Sequence, residues 1–129
     1  MPKSTNTCNS ILALIFNATA WADIAENDTS APAANLYVSL HTADPGVGGA
    51  QTTNETAYTN YARVAVARTN VGWSVPASGA TANAALVQFP QCGASGATIT
   101  HVAIGTASGG AGTVLYAGAR ALLGQCTLT

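Results

Sequence analysis

Charge is what this chain has least of. Only 7% of its 129 residues are charged, and the formal net charge is −1, whereas an average soluble domain carries about 25%. The basic residues are Lys3, Arg63, Arg68 and Arg120, too few and too scattered for a surface that binds nucleic acid by releasing counterions. Long apolar runs are missing too. None approaches the roughly 20 residues that span a bilayer. Ile11 to Phe16 is short and has no clear cleavage site near it, so neither a membrane anchor nor a secretion signal is expected. Cys8, Cys92 and Cys126 are widely spaced and form no Cys-x-x-Cys. Buried thiols are the plain reading, and a single disulfide between Cys92 and Cys126 is the alternative.

Chemistry is equally sparse. There is no Gly-x-Ser-x-Gly, no phosphate loop and no suggestive carboxylate pair. His41 and His101 are the only histidines, and a metal site would need a third ligand such as Asp44 or Cys92. Nothing in the spacing brings these together. Asp44 is better explained by a turn than by catalysis, and solvation accounts for the acidic residues Asp23, Glu26 and Asp28. The expectation is therefore a protein with no catalytic residues, no metal and no cofactor.

What is present is strand pattern. Leu36, Val38 and Leu40 alternate with Tyr37, Ser39 and His41, giving one apolar and one mixed face. Asp44-Pro45-Gly46 then stops the run with a turn. Tyr61 to Thr69 reads as a second strand, with Val64 and Val66 on one face and Arg63 and Ala65 on the other. Trp73 to Val75 and Thr81 to Phe89 read as further strand segments, then Thr98 to Ile104 and Thr113 to Ala119. Gly105 to Gly112 reads as a flexible hairpin connection. Before the strands, a helix is expected from about Cys8 to Ala20, capped by Thr5, Asn6 or Thr7. Trp21 to Glu26 either continues it or forms a second short turn. The stripe of Ile11, Leu12, Ile15 and Phe16 would dock that helix on the sheet or on a neighbouring subunit.

Short strands with no βαβ rhythm imply a mainly β fold, an antiparallel β-sandwich or jelly-roll-like barrel with one N-terminal α-helix. The division is an arm, helix and connector over 1–34 and a β-sandwich over 35–129, within a single domain. Between the first two strands lies the long polar loop Val47 to Asn60. It is either a contact surface, centred on Gln51, Thr52, Thr53, Asn54 and Glu55, or a floppy excursion.

The segments LYVSLHTADPG, YARVAVAR, NAALVQFP and ATITHVAIGTASGGAGTVLYAGA together resemble a family of small tailed-bacteriophage virion proteins. Its members are often labelled tail-fibre-like, and similar proteins serve as capsid decoration (cement) proteins. The resemblance covers residues 35–119. It implies a virion location after assembly in the host bacterial cytoplasm, and a structural protein on the outside of the head. Its partners would be the major capsid protein and copies of itself in a homotrimer. The alternative is a tail or neck fibre-associated protein whose loops meet a host surface receptor. From Ala119 onward the chain departs from the family pattern, which implies a sheet that lacks a strand, leaves an edge open or takes its last strand from a neighbour.

Overall fold

Helix α1 spans Thr5–Phe16 because Ser4, one residue ahead of the expected caps, starts it. The Ser4 side chain accepts from Thr7 N at 3.1 Å while its own backbone stays extended, the arrangement that satisfies a free amide of a first turn. The helix stops four residues before the expected Ala20. Asn17 N donates to Ala13 O, and Ala18 turns left-handed at φ 51°, which no helix can continue.

In this computed structural model, residues 3–22, 24–25 and 32–119 are described. The strands are β1 (Asn35–His41), β2 (Val64–Ala67), β3 (His101–Gly105) and β4 (Val114–Ala119). They form one sheet of order β2-β1-β3-β4, with β1–β3 and β3–β4 antiparallel. The mainly β class with one N-terminal helix is what the chain adopts. Among the described residues the regular strands make this one sheet, and other pairings are isolated bridges. The chain separates into two compact units, residues 1–35 with 66–86 and residues 36–65 with 87–129.

The first unit is built around Phe16 and Trp73, both buried. Their rings meet edge to face with centroids 4.7 Å apart, a favoured aromatic geometry. Arg68 closes the end of α1. Its guanidinium donates to Ile15 O at 2.7 Å, Leu14 O at 2.8 Å and Ala33 O at 2.7 Å, so a cation meets the carbonyl end of the helix dipole. Asn9 Oδ1 accepts from Gly79 N at 2.7 Å. Ser78 (φ 52°) and Gly79 (φ 77°) form the two-residue turn joining Ala77 to Ala80, the primed type that suits a hairpin. The strand expected over Thr81 to Phe89 does not form. Asn83 makes one bridge to Trp73, its side chain turns back to Ala85 O, and Leu86 points into solvent.

The second unit holds most of the sheet. Directly opposed residues of an antiparallel pair share a face, so the register gives Val38 with Ile104 and Leu40 with Val102 on one side. The other side carries Tyr37 with Gly105, Ser39 with Ala103 and His41 with His101. The first side is apolar, as the alternation requires. The second is the surprise: Ser39 and His41 are fully buried. The polar loop after β1 lies over that face and covers it, its backbone bridging His41 to Glu55 and its Thr53 carbonyl reaching the His41 ring.

Candidate functional site

The long loop is pinned at several points. Asp44 Oδ1 accepts from Gly46 N at 2.8 Å, fixing the turn as its sequence implies. Thr42 N donates to Asn54 O at 2.8 Å and Thr56 N to Leu40 O at 2.9 Å, so the returning limb runs beside the end of β1. Asn54 takes φ 56° and donates from Nδ2 to Asp44 O at 2.9 Å.

Gln51 is the loop's inward anchor, with 0% of its surface exposed. Its Oε1 accepts from Ala107 N at 2.9 Å, and its backbone N donates to Gly112 O at 2.9 Å. It can lie there because Gly105 and Gly112 have no side chain. A Cβ on Gly105 would sit 2.2 Å from Gln51 Cδ, and one on Gly112 would sit 2.1 Å from Oε1. The glycine-rich 105–112 segment is thus a cradle, not the flexible connection its composition suggests.

A second anchor joins the loop to the entrance of β2. Arg63 Nε and Nη2 donate to the two Glu55 carboxylate oxygens, each at 2.7 Å. The same guanidinium donates to Ala107 O at 2.8 Å and Gly110 O at 2.7 Å. Tyr61 OH donates to Glu55 Oε1 at 2.7 Å and accepts from Leu40 N at 3.1 Å. Arg63 and Glu55 side chains are only 3% and 14% exposed, and a bidentate pair of this kind is geometrically specific. Burial pushes the Glu55 carboxyl up, but hydrogen bonds from Arg63 and Tyr61 and the Arg63 charge outweigh it. The net is a carboxyl held below its usual range. The same burial, reinforced by Glu55, drives the Tyr61 phenol well above its usual value.

His41 makes the third anchor. Its Nδ1 donates to Thr53 O at 2.9 Å, and Nε2 lies 2.9 Å from Ser39 Oγ. A hydroxyl, an imidazole and an orienting carbonyl are the parts of an activated nucleophile. Here hydroxyl and ring are both wholly enclosed, so no substrate reaches them and their bonds serve to hold the loop. Both His41 nitrogens are thereby engaged, and His101 Nδ1 lies 2.8 Å from Thr100 Oγ1. Among the described residues no group of three His, Cys, Asp or Glu side chains could hold a metal.

The five loop residues singled out by sequence therefore divide. Gln51 and Glu55 face inward as anchors and Thr53 is half-buried, while Thr52 and Asn54 are exposed. Val47, at the tip of the turn, is fully exposed; the sequence reading passed over it. On α1, Phe16 is buried and Ile11, Leu12 and Ile15 are half-buried. Three aromatic rings pack together beside the loop: Tyr61 lies 5.2 Å from Tyr58 and 6.4 Å from Phe89 by ring centroids. Cys92 is disulfide-bonded and Cys8 is a free thiol, which corrects the reading of buried thiols throughout. Cys126 lies outside the described residues, as do Asp23, Glu26, Asp28, most of the 27–34 connector and the C-terminal stretch from Arg120.

The long loop of this small sheet is thus tied down by the Glu55–Arg63 pair, Gln51 and His41. Comparison with known families supplies the class: the model described as Podophage GP4 fiber I protein gp80 matches residues 2–122. The chain belongs to that family, and it is a structural protein of the bacteriophage virion. No curated protein matches it. Among the described residues no helix is long and apolar enough to cross a membrane.

Proposed function

We propose that this protein is a fibre-associated component of the phage tail or neck, binding neighbouring virion proteins and presenting its loops outward, with no reaction to perform. The observation that carries the reading is the match to a fiber protein family over residues 2–122. The pinned loop supports it. Anchors at Gln51, Glu55 and His41 hold Thr52, Asn54 and Val47 on a preordered surface, which lowers the entropy lost when a partner or host receptor docks. Neither nucleic acid nor membrane enters this reading.

A second reading is favoured by the scarcity of charge. A neutral surface can lie against the major capsid protein with little desolvation cost, as expected of a head decoration protein assembled as a homotrimer. Copy number separates the two: a dozen or fewer per particle supports the tail or neck site, and hundreds support the head. Thr52→Arg gives the functional test. Intact particles with impaired adsorption support fibre presentation, whereas unchanged adsorption with heads that leak DNA on heating supports decoration.

A further inference from the structure

Two enclosed side-chain atoms at the end of α1, Asn17 Oδ1 and Trp73 Nε1, have no hydrogen-bond partner. Their residues already touch. Asn17 Nδ2 donates to Trp73 O at 3.2 Å, and the Trp73 ring packs on Phe16, the chain neighbour of Asn17. Asn17 is also the residue at which the helix stops, its backbone N bonded to Ala13 O, and Trp73 is only 4% exposed. One orphan is a pure acceptor and the other a pure donor. Each has given up its hydration on burial, and protein interiors leave few such atoms unmatched.

We propose that this is a binding site for a single enclosed water molecule, which accepts from Trp73 Nε1 and donates to Asn17 Oδ1. Three other ways of satisfying the pair fail on the geometry. Turning the Asn17 amide over would set its oxygen against Trp73 O and forfeit the existing bond. A direct bond between the two orphans does not form, although their residues are in contact. A side chain of a neighbouring virion protein cannot reach atoms that are closed off from solvent. The occupant must be small enough to be enclosed and must both donate and accept, which is the chemistry of buried water. The bridge gives the end of α1 a second tie to the Trp73 segment, within the first compact unit. It holds whichever virion site the protein occupies.

Water-selective NMR of the full, isotope-labelled chain tests it. The sequence has two tryptophans, so the Trp21 indole is a reference within the same spectrum. The Trp73 indole proton is expected to show a through-space cross-peak to water, with the sign of a long-lived bound molecule and not of chemical exchange. Asn17→Ala removes the accepting oxygen. It is expected to abolish that cross-peak and to speed solvent exchange of the Trp73 indole proton about tenfold. A purely structural Asn17 would lower stability and leave the cross-peak in place. Contacts between the Phe16 and Trp73 rings confirm the fold of the variant; if it does not fold, the wild-type spectrum alone decides between bound water and none. A Trp73 indole without a long-lived water overturns the proposal. So does a cross-peak that survives Asn17→Ala, or a scalar coupling across a direct bond between Trp73 and Asn17.

Discussion

Replacing Gly105 by alanine tests whether the glycine-rich segment is a cradle or a tether. Gly105 lies opposite Tyr37 in the β1–β3 register and does not use a left-handed φ, so alanine meets no backbone strain. Taken alone, the change should stabilise a strand by about 0.5–1 kcal/mol through lost chain entropy. The new Cβ, however, falls 2.2 Å from Gln51 Cδ and 2.5 Å from Nε2. Gln51 has no room to yield without breaking its bond to Ala107 N. Overpacking of this kind costs about 1–3 kcal/mol, which exceeds the entropic gain, so net destabilisation is expected. Thermal or urea unfolding reads it, each kcal/mol moving Tm by about 3–5 °C in a chain of this length. The decisive version is a double-mutant cycle with Gln51→Ala. That substitution alone removes the partner of the half-buried Ala107 amide, at about 1 kcal/mol. In its background Gly105→Ala should become neutral or stabilising, so the two changes couple strongly. Additive effects, or a Gly105→Ala protein as stable as the parent, would refute the cradle.

Three further outcomes follow from the same geometry. Arg63→Lys keeps the charge but should still destabilise the protein by about 1–3 kcal/mol, because one ammonium cannot replace donors to Glu55, Ala107 and Gly110; amide hydrogen exchange should speed up in both loops together. Glu55 has a lowered folded-state pKa, so its stabilising contribution is present above the ordinary carboxylate range near pH 4.3 and is lost as pH falls through the depressed value. Glu55→Gln should flatten that acid limb of the stability profile, and an unchanged limb would count against the pair. Phe16→Ala should cost about 3–5 kcal/mol and shift the Trp73 fluorescence toward that of a hydrated indole.

Strand β1 was readable because its alternation and its stop are both local: the Leu36, Val38, Leu40 period needs no knowledge of the partner strands. The helix was readable as an element but not at its ends, where Ser4 and the left-handed Ala18 outweighed the propensity of Ala20. Tyr61 to Thr69 reads as one long strand, yet only Val64–Ala67 is regular, since Tyr61 and Arg63 are turned to bonds with the loop. Burial of Gln51 could not be read from its neighbours, because its acceptor bond is with Ala107, 56 positions away. A signal was there in hindsight. Glycines at 105 and 112 bracket a segment that reads as slack, and glycine at a fixed place equally marks a close approach by another chain segment.

The scarcity of charge looks different once the bonds are placed. Glu55 and Arg63 are enclosed as a pair, and the Arg68 guanidinium is engaged by three carbonyls. Among the described residues this leaves Lys3 and Asp44 as the charges facing solvent, so the described exterior is more neutral than the 7% composition implies. Surfaces meant to stay apart in solution keep interspersed charge of both signs; among the described residues Glu55, Arg63 and Arg68 instead fix loop shape and a helix end. The sparsely charged described exterior and the enclosed ion pair are therefore parts of one arrangement. The Glu55–Arg63 pair helps hold Thr52, Asn54 and Val47 in place without large side-chain anchors at the surface, and the sparsely charged exterior lets that fixed shape be packed against neighbours. A variant that moved charge outward, such as Ala117→Lys, should leave the fold intact and lower incorporation into particles, whereas one that disrupted Glu55 and Arg63 should weaken folding first and incorporation as a consequence.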